Sequence, residues 1–268
     1  MTNLSMAYSP CPNDTFMFYD VAEGKLSSSG YEVDVHLHDV ETLNRLALKA
    51  TYDLTKISFH TYLLVREKYQ LLNVGAALGF GCGPLLVAKH AISDADLPLC
   101  RVAIPGELTT AHLLLQLWAP AMHLKTFVPY DQIMAQILED KADCGVIIHE
   151  SRFVYQKAGL ICLTDLGQWW ERQTSHPIPL GCIVARKTLG VSVIARIEDL
   201  LRQGILRSRA HPEHAAAYVG QNAQETDPSV QARHIGMFVN DFSLDLGEAG
   251  HAAVAKLEEM ARQAGVIP

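Results

Sequence analysis

Two stretches of this chain carry one pattern. Gly83-Pro84-Leu85-Leu86-Val87-Ala88-Lys89 and Leu180-Gly181-Cys182-Ile183-Val184-Ala185-Arg186 are both glycine-flanked apolar runs that end in alanine and a cation. Short apolar runs bounded by turn residues read as buried strands. Between them strand and helix patterns alternate three times. Residues 102–104 lead through Pro105-Gly106 to a helix over 110–118, 126–128 to a helix over 131–141, and 144–148 to a helix over 150–157. If both runs carry the chain across between two bodies, one lobe forms from 1–90 plus 182–268 and a second from 91–181. Two ordinary buried strands of similar composition would leave the same trace.

The flanking regions keep the alternation. Leu4 to Tyr8 is short and apolar, while Val33, Val35 and Leu37 alternate with Asp34, His36 and His38 in the period of a half-buried strand. Asp39 is a natural N-cap for a helix with Val40, Leu43, Leu46 and Ala47 on one face. Further helices are expected over 15–23, 193–206, 211–218 and 248–264. Strands alternating with helices through short loops mean an α/β architecture with largely parallel sheets. With a double crossing, this is the plan of a type II periplasmic-binding-protein-like fold: two lobes, an interlobe cleft and two crossover strands. The length of 268 residues lies between one large domain and two small ones.

Charge and composition narrow the partners. Lys+Arg 22 minus Asp+Glu 29 gives −7, which argues against nucleic acid or an anionic membrane as the main partner. No apolar run approaches the roughly 20 residues that span a bilayer. Met1-Thr2-Asn3-Leu4-Ser5 has neither the basic nor the apolar part of a secretory signal. The six cysteines form no CxxC, and a core this large needs no stapling, so they read as reduced, mostly buried thiols of a cytoplasmic protein.

Four places could carry chemistry. Ligands of open α/β sheets bind beyond the carboxyl ends of strands, which favours Ser9 to Phe16, where two prolines stiffen a loop and Asn13 and Asp14 can cap a helix. Thr109-Thr110-Ala111 opens another helix, whose free amides and hydroxyl suit a carboxylate or phosphate. Lys56 and Ser58 flank one strand end and could take an anion and a hydroxyl. His149 closes a strand before a helix opened by Glu150 and Ser151; the helix dipole there disfavours imidazolium, leaving the neutral ring that a general base needs. Capping, packing or solvation would explain each of these equally well on composition alone. Gly79-Phe80-Gly81-Cys82-Gly83 runs into a strand rather than a helix, so it is no dinucleotide fingerprint. Phe153 stands where a zincin would have its second histidine, and the His36/His38 and His211/His214 pairs lack further ligands, so no metal site is expected. Trp169-Trp170 reads as packing or a cleft wall.

Several blocks are longer and less common than these features. SPCPNDTF (9–16), DVETLNR (39–45), LTKIS (54–58), GVIIHESRF (145–153), DLGQWW (165–170) and VNDFSL (239–244) together resemble the 1,4-dihydroxy-6-naphthoate synthases of the futalosine route to menaquinone. The resemblance runs from the first strand to the last helix. It implies a cytoplasmic enzyme of the two-lobed fold that cleaves an anionic small molecule, cyclic dehypoxanthine futalosine, to 1,4-dihydroxy-6-naphthoate and dihydroxyacetone. It implies His149 as proton acceptor, and Lys56, Ile57, Ser58, Thr110 and Ala111 at the substrate. Glu107-Leu108, where relatives can carry basic or polar residues, is the clearest departure near the site. Because the reaction restores an aromatic ring, a positioned base suffices, and no cofactor or metal is expected. Two other readings share the fold: a solute-binding protein, which would lack turnover, and a chorismate dehydratase, which would lack the IIHES block. Oligomeric state is left open.

Overall fold

The computed structural model describes residues 2–268, the side chains of Ser27 and Ser28 excepted; Met1, where the reading of the N-terminus begins, lies outside them. The chain first lays down β1 (Thr2–Tyr8), β2 (Tyr31–Leu37), β3 (Leu54–Ser58), β4 (Tyr69–Leu71) and β5 (Ala77–Gly79). It then makes β6 (Leu85–Ala88), β7 (Val102–Ile104), β8 (Lys125–Phe127), β9 (Cys144–Ile147) and β10 (Ile161–Asp165), and returns with β11 (Ile178–Arg186). The first sheet has the order β2-β1-β3-β11-β4 with β5 beside β11, and the second has the order β10-β6-β9-β7-β8. The chain thus leaves the first sheet between Gly79 and Leu85 and returns between Asp165 and Ile178. The two glycine-flanked runs are the first strand after each crossing. Sheet membership therefore changes earlier than the lobe limits read from the sequence: Leu85–Ala88 already pairs in the second sheet, and Ile178–Leu180 in the first.

The sheets are mixed, not largely parallel. β1 runs parallel to β2 and β3, and β7 runs parallel to β8 and β9. β11 is antiparallel to β3, β4 and β5, as β6 is to β9 and β10. The reason lies in the crossings. A strand arriving from the other sheet enters at the edge where the parallel strands end, and so must run against them. Alternation alone cannot reveal that reversal.

The crossings pass each other backbone to backbone. A Cβ placed on Gly83 would sit 2.3 Å from Gly167 Cα, and one on Gly167 would sit 2.7 Å from Gly83 Cα. Arg152 locks this point by donating to Gly83 O and to Asp165 Oδ2. Since neither main chain can yield like a side chain, Gly83→Ala should lose about 3 kcal/mol or more, the upper end of overpacking costs. Thermal unfolding reads this directly, and an unchanged Tm would show that the crossings can separate freely.

Local signals account for most helices. Asp39 caps Val40–Leu48 by accepting from Glu41 N and Thr42 N, and Thr109 caps Thr110–Trp118 by accepting from His112 N. The helix expected over 15–23 breaks at Phe18 into Pro12–Met17 and Tyr19–Ala22, and that over 150–157 is helical only at Ser151–Val154. Pro228–Phe238, a helix absent from the sequence reading, starts on an Asp227 cap with proline at its first turn. Val191–Ala210 covers the first sheet with Ile194, Ile197, Leu201 and Ile205. One core cluster runs from Ile57 and Cys182 of the first sheet to Leu86, Val102 and Val146 of the second, with Trp170 fully buried in it. All six cysteines are free and only Cys162 is exposed. No helix of the described residues is long and apolar enough to cross a membrane.

Candidate active site

Four strand ends converge. β1 delivers Ser9 to Asp14, β3 delivers Ser58, β7 leads to Thr109–Ala111, and β9 delivers Ile148 and His149. They enclose a cleft of about 720 Å³, its open mouth included. Asn13, Asp14, Lys56, Ile57, Ser58, Thr110, Ala111 and His149 all border this one cleft, joined by His234 from the Pro228–Phe238 helix.

Lys56 is not the free cation the sequence suggests. Its Nζ donates to Asp14 Oδ1 at 2.9 Å and to Gly75 O at 2.9 Å, and both side chains are almost fully buried. Asp14 spends its remaining capacity on Asn13 Nδ2, Ser9 Oγ and Ser9 N. The pair is internally neutralised, so its role is to fix the loop after β1 against β3. Gly181 leaves room for it: a Cβ there would press on Lys56 Cε at 3.2 Å.

An anion instead meets hydroxyl and amide donors. Asn44 brackets Ser58, donating Nδ2 to Ser58 Oγ at 3.1 Å and accepting from Ser58 N at 2.9 Å, which leaves the hydroxyl proton free to donate. The Thr110 hydroxyl is occupied, donating to Leu180 O at 2.8 Å and accepting from His60 N at 3.3 Å. What this residue has left to offer a ligand is its main chain. The amides of Thr110 and Ala111, in the first turn of a helix, have no intrahelical partner and carry the positive end of the dipole. Ile57 lies out of phase with Lys56 and Ser58 along β3, and its side chain joins the core.

His149 is held on every side. Its backbone is left-handed, φ 56°, a conformation that costs a non-glycine residue on the order of 1–3 kcal/mol and that histidine adopts more readily than most. Tyr130 packs edge-on at 4.7 Å between centroids, His234 stacks at 6.0 Å and 18°, and Cys11 Sγ lies 3.5 Å from Nδ1. Burial pulls the imidazole below its ordinary pKa, opposed by the charges of Glu150 and Asp14. The ring is thus neutral near pH 7, but through desolvation rather than a dipole, since the following helix is only one turn long.

Across the cleft mouth Glu41 accepts from Leu108 N at 3.0 Å and occupies the space a side chain at Gly106 would need. Arg45 bridges Glu41 and Glu107. The departure at Glu107-Leu108 therefore falls on a contact between the sheets. Among the described residues one trio, Cys11, His149 and Glu150, brings ligand-type atoms within 4.8 Å of one another. Burial holds the Cys11 thiol protonated well above its usual range, and a thiol must lose that proton to bind metal. The trio is a poor metal site.

The chain matches the model of the menaquinone biosynthesis family over residues 4–263. It is 43% identical over 266 residues to the 1,4-dihydroxy-6-naphthoate synthase of Thermus thermophilus, covering 99% of this chain and 96% of that one. It is 41% identical over 270 residues to the enzyme of the same name from Streptomyces coelicolor, covering 99% and 95%. The chain belongs to the menaquinone biosynthesis family. A solved protein of Archaeoglobus fulgidus, 37% identical, superposes with a TM-score of 0.92 over 99% of this chain and 98% of that one. The periplasmic aliphatic sulphonate binding protein of Escherichia coli, 12% identical, gives 0.69 over 100% and 89%. The fold of this family member is that of the periplasmic binding proteins, two lobes with a cleft between them.

Sequence reasoning about this family member missed Asn44 and His234. Asn44 sits within a quoted block, on the helix face that carries Val40 and Leu43, and a polar residue there is a signal of a buried partner. Val230, His234 and Phe238 recur at i, i+4 and i+8 on the overlooked helix, and all three are buried. A histidine inside such a stripe must find partners.

Proposed function

We propose that this protein cleaves a carbon–carbon bond in cyclic dehypoxanthine futalosine, releasing 1,4-dihydroxy-6-naphthoate and dihydroxyacetone, with His149 as general base. The work is that of a cytoplasmic enzyme that uses no cofactor. The naphthoate carboxylate docks on the Thr110 and Ala111 amides and the Ser58 hydroxyl. His149 takes the proton from the carbon skeleton, and expulsion of the three-carbon fragment restores the aromatic ring. Closure between lobes holds the breaking bond aligned and excludes water. The observation that carries this reading is His149 itself, a neutral imidazole held in a strained backbone at the wall of a cleft that also contains an unpartnered helix start. The names of the relatives supply the product, 1,4-dihydroxy-6-naphthoate. A solute-binding role suits the fold, but the relatives carry the name of a synthase.

Incubation with cyclic dehypoxanthine futalosine tests the proposal: the naphthoate should appear by mass and absorbance, whereas tight binding without product would favour the solute-binding reading. The pH profile follows from the direction of the His149 shift. A base works deprotonated, so kcat/KM should stay level through neutral pH and fall only below the free imidazole value of about 6.5. An acid limb above that value would contradict a neutral base.

A further inference from the structure

Behind the His149 ring lies a buried chain of hydrogen bonds whose direction is determined. A carboxylate can only accept, so Asn13 must turn its amide nitrogen to Asp14, which it does at 2.8 Å. The Asn13 oxygen then faces His234 Nε2 at 2.8 Å and must accept from it. Nε2 of His234 therefore carries a proton. Its Nδ1 points away and faces Glu150 Oε2 at 3.8 Å, longer than a hydrogen bond, and neither of these atoms has a hydrogen-bond partner. His234 is 0% exposed and Glu150 7%. A bare nitrogen facing an ionised carboxylate in such a place would leave two orphaned acceptors, which folded proteins avoid. A single proton on one of the two atoms gives the pair a donor facing an acceptor and needs only a small approach from 3.8 Å to close a hydrogen bond.

We propose that Glu150 and His234 together hold one proton, and that this neutral pair is the positioning device that removes the opposing pull of Glu150, so that burial alone sets His149 as an uncharged base. The inference rests on the reading of His149 as the base. Glu150 follows His149 in the chain, and as a free carboxylate it would draw a proton onto the imidazole. Shared with His234, its charge is cancelled within the pair. The other groups facing His149 are already accounted for: Lys56 and Asp14 neutralise each other, and burial keeps Cys11 and Tyr130 protonated. His234 also supplies the flat surface on which the His149 ring stacks.

The test is a titration of His149 by NMR in histidine-labelled protein, assigned by the signal lost in His149→Gln. It needs no substrate, so it can fail or succeed independently of the proposed reaction. Glu150→Gln, whose amide can donate to His234 Nδ1, should leave the His149 midpoint in place. His234→Gln strands the carboxylate and should raise the midpoint by about 1 pH unit or more, the effect of an opposite charge at close range. The double variant should return it. Where turnover is measured, the acid limb of kcat/KM should move in step, while KM stays near wild type. A downward shift in Glu150→Gln alone would mean that Glu150 is ionised in the native protein and would overturn the proposal. So would an unmoved midpoint in His234→Gln. If His234→Gln does not fold, the Glu150→Gln titration decides by itself.

Discussion

Replacing His149 by asparagine should cut turnover of cyclic dehypoxanthine futalosine by about 10²–10⁴-fold, the usual contribution of a positioned general base, with little change in substrate affinity. The donors proposed for the carboxylate lie on other elements, at Ser58 and at the start of the Thr110–Trp118 helix, and asparagine tolerates the left-handed backbone at this position better than most residues. Binding and fold should therefore survive while the proton acceptor is lost. Calorimetric titration alongside the rate separates the two. A variant with near-normal turnover would remove His149 from the chemistry, and one that no longer binds would make it an anchor.

Lys56→Met should act differently. Removing the ammonium leaves Asp14 buried and uncompensated, a change that costs about 3–5 kcal/mol, or a fall in Tm on the order of 10 °C for a chain of this size. Had Lys56 been a solvated cation waiting for the substrate carboxylate, the same variant would keep its stability and lose affinity alone. Adding Asp14→Asn should recover part of the loss, because residues joined in one ion pair couple and their effects do not add. Thermal unfolding of the two single variants and the double variant distinguishes the cases. Equal Tm values for wild type and Lys56→Met would overturn the paired assignment.

What could be read from the residues, and what could not, divides by range. The strand at 102–104 and the helix at 110–118 announce themselves, because Pro105-Gly106 and the Thr109 cap act on their immediate neighbours. Each half of the cleft follows from local signals, since the loops after β1 and β3 lie beyond the ends of neighbouring strands in one sheet and those after β7 and β9 in the other, but the meeting of the two halves does not. Facts set by distant partners stayed hidden. Lys56 finds Asp14, the Thr110 hydroxyl finds Leu180, and His234 finds Asn13 only once the sheets are assembled. The direction of β6 and β11 belongs to the same class, because a crossing reverses a strand without altering its pattern of apolar residues. The helix at 150–157 fell short for a local reason. Residues 155–159 are spent on a turn through left-handed Gly159 that leads the chain back into β10.

A crystal structure of His149→Asn soaked with cyclic dehypoxanthine futalosine tests the central claim most directly. The account predicts uncleaved substrate in the cleft, its carboxylate within hydrogen-bond distance of the Thr110 and Ala111 amides and Ser58 Oγ, and its acidic carbon facing the side chain at residue 149. A carboxylate seated on Lys56 in place of Asp14, or a substrate whose reacting carbon lies away from residue 149, would contradict it.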